Sequence, residues 1–329
     1  MTSVPTEIVD CEESAAVSDR SAWESLLARL SHQSVVKHFD AYGDVEWDSP
    51  EMAIDRGDPR FELSDDEPLA RTDWYQELPA AQRASLGVDM VASRMKLGLQ
   101  FEGVLKQGLL RYAAALPNFS PEFRYAYHEV IEEAQHSLMF QEFVNRSGFD
   151  AAGLNRMDRL GAGFVIWLAR RFPPLFFVFV LGGEDPIDHV QREALRKARD
   201  LHPLLERIMR IHVTEEARHL SFARHYLKRE VPALNWLRRA ELAIGAPVVL
   251  ASMAQMMLKP SRQIVKRYGI PRKVVKAAYK NNPEHRQATL TSLRKVRRLC
   301  QELGLLTPAA RRLWTVLGLS DRQPTGSPA

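Results

Sequence analysis

The sequence predicts an all-α bundle of long helices, and three observations carry that prediction. From about residue 81 onward apolar residues recur at helical spacing, in stretches punctuated by proline and glycine. No stretch alternates with period two for long enough to need a sheet. A Glu-x-x-His motif occurs twice, each time inside a long helical stretch.

Ala81 to Leu116 reads as one helix that stops at Pro117. Pro121 opens a second, which runs to about Asn145 and ends at Ser147-Gly148. A third helical region, 151–181, breaks at Pro173-Pro174, and a fourth begins near Pro186. Pro203 starts or kinks a fifth that reaches about Glu230, with Pro232 beyond it. Further helices fit 234–258, 261–280, 284–303 and 307–317. Residues 1–19 and 319–329 read as frayed, disordered ends, and 40–80 as a connection rich in Pro and Asp.

Composition is that of an ordinary globular chain: 329 residues, 45% apolar and 26% charged, which excludes collagen-like and low-complexity classes. Two cysteines, Cys11 and Cys300, cannot build a disulfide framework or a four-thiolate zinc site, so a reducing cytoplasm is expected. The acidic start has no apolar block of the secretory kind. Leu242 to Leu258 is interrupted by Gly245, Pro247 and Gln255, so no membrane span is expected. The net charge of +4 conceals segregation: residues 1–90 hold 7 Lys/Arg and 20 Asp/Glu, whereas 259–313 hold 15 Lys/Arg and 2 Asp/Glu. No zinc finger or aromatic RNA-binding motif accompanies the basic stretch, so nucleic acid is not expected as a partner.

The repeat carries the chemistry. Glu132-Glu133-Ala134-Gln135-His136 returns as Glu215-Glu216-Ala217-Arg218-His219. A Glu and a His three residues apart project from one helical face, so both can meet one metal ion. One such motif is usually a solvated pair; two on different helices match the bundle-core pattern in which two further helices each add a Glu. Glu102 is the only acid from Met90 to Pro121 and sits among Leu97, Leu99, Phe101, Val104 and Leu105. Glu184 follows the apolar run Phe177 to Gly183 and is preferred to Asp185, which precedes Pro186 and suits a helix cap. His212 lies at i with Glu216 at i+4 and His219 at i+7, on one stripe.

Four buried carboxylates repel one another unless cations cancel them, and two divalent ions do so. The mixed oxygen and imidazole set suits iron or manganese better than zinc. Glu132, Glu215 and Arg218 flank the proposed ligands, where they either orient a ligand histidine through its other nitrogen or face solvent. Competing motifs fail on spacing: there is no His-Glu-x-x-His, no dinucleotide-binding glycine pattern and no Gly-x-Ser-x-Gly.

Together, Glu102, Glu133-x-x-His136, Glu184 and His212-x-x-x-Glu216-x-x-His219 resemble the AurF-like diiron oxygenases, whose founding member is a p-aminobenzoate N-oxygenase. The third histidine separates that group from the usual ferritin-like site of four carboxylates and two histidines. The resemblance covers about 90–230, with compatible helices to about 260. It implies a ferritin-like helical bundle with additional C-terminal helices, one domain over 20–318 with its metal-binding core at about 90–230, and a homodimer. It further implies that Glu102, Glu133, His136, Glu184, His212, Glu216 and His219 ligate two irons, with manganese as the other option. No catalytic residue beyond these ligands and no site for an organic cofactor is expected.

The implied reaction uses O₂ as co-substrate and an external electron donor of the ferredoxin or reductase type to oxygenate a small-molecule arylamine at nitrogen. No carboxylate-binding set for that substrate stands out; Arg94, Lys96 and Gly98 precede Glu102 on the same predicted helix. Two alternatives stay open: hydroxylation or desaturation of an aliphatic or lipid substrate at the same site, and iron handling without catalysis.

Overall fold

A computed structural model of the chain describes residues 7–197 and 200–320, with side chains described from Arg20 onward except at position 255. Among these residues there are thirteen α-helices and no strand. The first helix, α1, spans Glu7–Val36, and a connection follows that holds two 3₁₀ turns and the single-turn α2 (Asp73–Gln76). Two pairs of long helices form the body: α3 (Ala80–Ala113) packs along α4 (Pro121–Ser147), and α6 (Pro173–Lys197) packs along α7 (Pro203–Ala233). Between the pairs, α5 (Arg156–Arg171) lies against both α3 and α6. Then α8 (Trp236–Met257) covers α6, followed by α9 (Arg262–Arg267), α10 (Arg272–Val275), a π-helical turn, α11 (Pro283–Ser292), α12 (Arg294–Glu302) and α13 (Pro308–Val316).

The all-α prediction holds, and the punctuation residues account for most boundaries. Pro121 occupies the first turn of α4, and Gly148, left-handed at φ 67°, closes it. Pro186 departs from expectation: it begins no helix but lies inside α6. Its ring removes the bond that an N–H would give to the Gly182 carbonyl, and the packing of the surrounding apolar face holds the helix together across it. That packing is close, since a Cβ on Gly183 would meet the Phe101 ring at 2.0 Å. The 261–280 and 284–303 stretches each divide in two, the first at Gly269, left-handed at φ 61°. Residues 1–6 and 321–329, part of the ends read as frayed, lie outside the described residues.

Helix α1 was not anticipated from periodicity, yet Trp23, Leu26, Leu27 and Leu30 bury a stripe that belongs to the core, and the helix packs along α4 and α7. Two apolar clusters make up that core. One joins the later part of α3, the start of α4, α6 and the end of α7 through Leu105, Tyr125, Phe177 and Phe222. The other joins the earlier part of α3, the end of α4 and the start of α7 through Met90, Phe143 and Ile208. Along α4 and α7 the acids and histidines of the repeat fall between residues of the two clusters, and all of them are buried.

Candidate metal centre

All ten residues singled out in the sequence meet at this level of the bundle, and all are buried. Glu102 comes from α3, Glu132, Glu133 and His136 from α4, Glu184 from α6, and His212, Glu215, Glu216, Arg218 and His219 from α7. Glu133 places Oε1 3.3 Å from His219 Nδ1 and Oε2 3.5 Å from His136 Nδ1, which sets it between the two repeat histidines. Glu216 Oε1 lies 3.1 Å from His219 Nδ1, 3.7 Å from His136 Nδ1 and 3.9 Å from His212 Nε2. Glu102 Oε1 is 3.8 Å from His136 Nδ1 and 3.9 Å from His212 Nε2, and Glu184 Oε2 is also 3.9 Å from His212 Nε2.

The residues beside the motif do a second job. His136 turns Nε2 to Glu215 Oε2 at 2.9 Å, and His219 turns Nε2 to Glu132 Oε2 at 2.7 Å. Each carboxylate accepts from the histidine of the other copy, which leaves Nδ1 of both rings directed at the acids. Arg218 joins the two supports, donating to Glu132 Oε1 at 2.7 Å and Glu215 Oε1 at 3.4 Å. The connection before α2 closes over this layer: the Phe39 N–H donates to Glu215 Oε1 at 3.2 Å, and the Ala41 N–H to Gln135 Oε1 at 2.8 Å. Glu102 is steadied by Ser137, whose hydroxyl donates to Oε2 at 2.9 Å and itself accepts from Lys106.

Electrostatics of this cluster call for cations. Burial pushes Glu102 and Glu184 well above the usual carboxylate range, and neighbouring carboxylates push the same way. Burial likewise raises Glu216 and drives His212 well below the ordinary imidazole value. Against burial, the surrounding acids draw protons onto His136 and His219 and raise both well above that value. Also against burial, His219 and Arg218 hold Glu132 down to about 2. Buried polar atoms without a hydrogen-bond partner concentrate here: Glu102 Oε1, both oxygens of Glu133, His136 Nδ1, Glu184 Oε2, His212 Nδ1 and Glu216 Oε2. Native interiors seldom leave such atoms orphaned unless an ion or water serves them. Four overlapping groups of three ligand atoms lie within 4.8 Å of one another, and all of them are buried. The donor set of carboxylates and imidazoles fits two divalent ions of the iron or manganese type.

One participant was missed in the sequence. Glu129, one turn before Glu133 on the same face of α4, belongs to one of those groups, with Glu133 and His219. The signal was available, because the i, i+4 rule that linked His212 to Glu216 also links Glu129 to Glu133. Glu184 groups with His212 and Glu216, whereas Asp185, expected as a helix cap, lies inside α6 and pairs with Arg224. The flank of α3 is committed elsewhere, since Arg94 pairs with Glu67 and Lys96 donates to Gln141 at 2.8 Å. Gly98 makes room for a ring, as a Cβ there would come within 3.1 Å of Phe140. That ring stands 5.5 Å from His212 and 6.4 Å from His136, so it walls the site.

Among the described residues no helix is long and apolar enough to cross a membrane. Uncharacterized proteins of Mycobacterium tuberculosis and of Mycobacterium bovis are 40% identical to this sequence over 306 residues, which is 93% of this chain and 90% of theirs. No solved structure gives a significant match. Residues 20–304 match the family described as P-aminobenzoate N-oxygenase AurF.

Proposed function

The chain belongs to the AurF family, a ferritin-like diiron oxygenase family, and from that premise we propose that it oxygenates an arylamine at nitrogen, using O₂ and electrons from an external ferredoxin- or reductase-type donor. The observation that carries this reading is the buried cluster of four carboxylates and three histidines on four helices, in which both oxygens of Glu133 and one atom each of Glu102, His136, Glu184, His212 and Glu216 lack protein partners. In this reading Glu102, Glu133, His136, Glu184, His212, Glu216 and His219 are the ligands of two irons. When bound, the irons supply the reduction of O₂ and the transfer of an oxygen atom.

The remaining work falls to the protein. Glu133, with one oxygen toward each repeat histidine, would help to hold the ions beside both His136 and His219. Glu132 and Glu215 hold His219 and His136 so that Nδ1 is the donor atom, and Arg218 donates to both carboxylates and so ties the two supports together. His212, kept neutral by burial, offers Nε2. Phe140 and the apolar clusters on either side exclude water, which protects reactive oxygen from wasteful reduction. We further propose that the enzyme works in the cytoplasm as a homodimer, with the reducing compartment suggested by its cysteine usage.

Metal analysis followed by turnover tests the reading. Reconstituted protein is expected to hold about two irons per chain and, with reductant and ¹⁸O₂, to convert arylamines to labelled hydroxylamine, nitroso or nitro products seen by mass spectrometry. Less than about one metal per chain after reconstitution would defeat the diiron assignment. Label entering only aliphatic or lipid substrates would replace N-oxygenation by C-hydroxylation.

A further inference from the structure

Glu129 is fully enclosed on α4, and neither of its carboxylate oxygens has a hydrogen-bond partner. A buried carboxylate in that state is costly unless it is paired or bound to a cation. The protein cations nearby are already engaged: Arg218 bonds to Glu132 and Glu215, and His219 gives Nε2 to Glu132. What remains beside Glu129 is the inward side of the centre, where one of its oxygens, a Glu133 oxygen and a His219 ring nitrogen lie within 4.8 Å of one another. Within that group His219 Nδ1 is 3.3 Å from Glu133 Oε1.

Resting on the diiron reading above, we propose that Glu129 is an eighth protein ligand, binding the metal ion that Glu133 and His219 hold. Two facts support ligation over a purely structural role. Glu129 and Glu133 are one helical turn apart and face the same way, which lets both reach one ion, as Glu133 and His136 do at i, i+3. The turn before Glu129 brings Tyr125, whose hydroxyl is buried and makes no hydrogen bond, so no donor from that side satisfies the carboxylate either. With Glu129 included, Glu129, Glu133 and His219 form a group that shares no member with the group of Glu102, His136 and His212.

The test compares wild-type full-length protein with Glu129→Gln by Fe(II) titration calorimetry, metal analysis after desalting, and the visible spectrum of the Co(II)-substituted form. The wild type should bind two metals. The variant should keep one tight site, lose at least about tenfold in affinity at the other, and show an altered Co(II) spectrum. Two tight sites and an unchanged Co(II) spectrum in a variant with wild-type circular dichroism would overturn the assignment while leaving the diiron reading intact. Failure of the wild type itself to bind two metals would instead remove the diiron reading and this ligand with it. Should Glu129→Gln not fold, Glu129→Asp, which shortens the ligand but keeps its charge, is expected to weaken the same site and shift the Co(II) spectrum; unchanged values would overturn the proposal equally.

Discussion

Glu132 on α4 accepts a hydrogen bond from His219 Nε2 on α7 at 2.7 Å, although the two residues belong to different copies of the repeat. Glu215 returns the arrangement to His136 at 2.9 Å. Each Glu-Glu-x-x-His copy therefore supplies one carboxylate that faces the centre and one that aims the other copy's imidazole. The doubled glutamate is thus explained by two opposite directions on adjacent helix positions.

Substituting Glu132 by Gln tests that division of labour. The amide still fits, but it no longer fixes an ionised acceptor against His219, so ring orientation and basicity both loosen. Metal affinity should fall by about 10- to 100-fold, and the metal-free protein should lose stability as well, because Arg218 is left with Glu215 alone as its charged partner in this network. Titration calorimetry with Fe(II) reads the effect; unchanged affinity would mean that Glu132 only fills space.

Arg218 is predicted to matter for stability more than for metal identity. Its guanidinium stands between Glu132 and Glu215 and is itself buried. Removing one partner from such a buried network leaves uncompensated charge, at a cost of about 3–5 kcal/mol. Arg218→Met should therefore lower the midpoint of denaturant unfolding of the metal-free protein well beyond Arg210→Met, whose partner Glu206 stays exposed to water. Equal midpoints for the two variants would contradict the role assigned here.

The sequence was most informative where chemistry is local. Glu-x-x-His spacing, the lone acid Glu102 and the 212–216–219 stripe are periodic signals within single helices, and the structure brings their side chains together. Two kinds of information were not legible. The segment after α1 carries no periodicity, and it closes over the centre through backbone N–H groups at Phe39 and Ala41, which any residue would supply. The boundary near Pro186 was misplaced because proline is a local breaker, whereas the contacts that carry α6 through it come from other helices. Glu129 forms no Glu-x-x-His pair of its own, and its i, i+4 relation to Glu133 gains meaning only beside His219 of another helix.

Metal binding should be strongly pH-dependent. Without metal, the acids hold protons on His136 and His219, and burial keeps Glu102 and Glu184 protonated above the ordinary carboxylate range. Ligation needs all four deprotonated, so loading releases protons. The sign follows: affinity rises with pH as these protons become easier to remove, and falls on acidification. Calorimetry in buffers of different ionisation enthalpy should report net proton release at neutral pH. Zero release would mean that the centre is already deprotonated before metal arrives.

Two glycines of α3 should respond oppositely to the same change. At Gly87 an added Cβ would lie 1.7 Å from the Phe61 carbonyl oxygen, a backbone atom of the 3₁₀ turn that cannot give way cheaply. Gly87→Ala is therefore expected to destabilise by about 1–3 kcal/mol or more, through forced separation of α3 from the covering connection. At Gly103 a Cβ would meet nothing within 4 Å, so Gly103→Ala should gain about 0.5–1 kcal/mol from reduced backbone freedom in the unfolded chain. Because Gly103 adjoins Glu102 in sequence but leaves its surroundings untouched, that variant should also keep full metal content. Thermal melts of the two metal-free variants decide the matter: shifts of the same sign would show that the approach of the Phe61 turn to α3 is looser than the geometry requires.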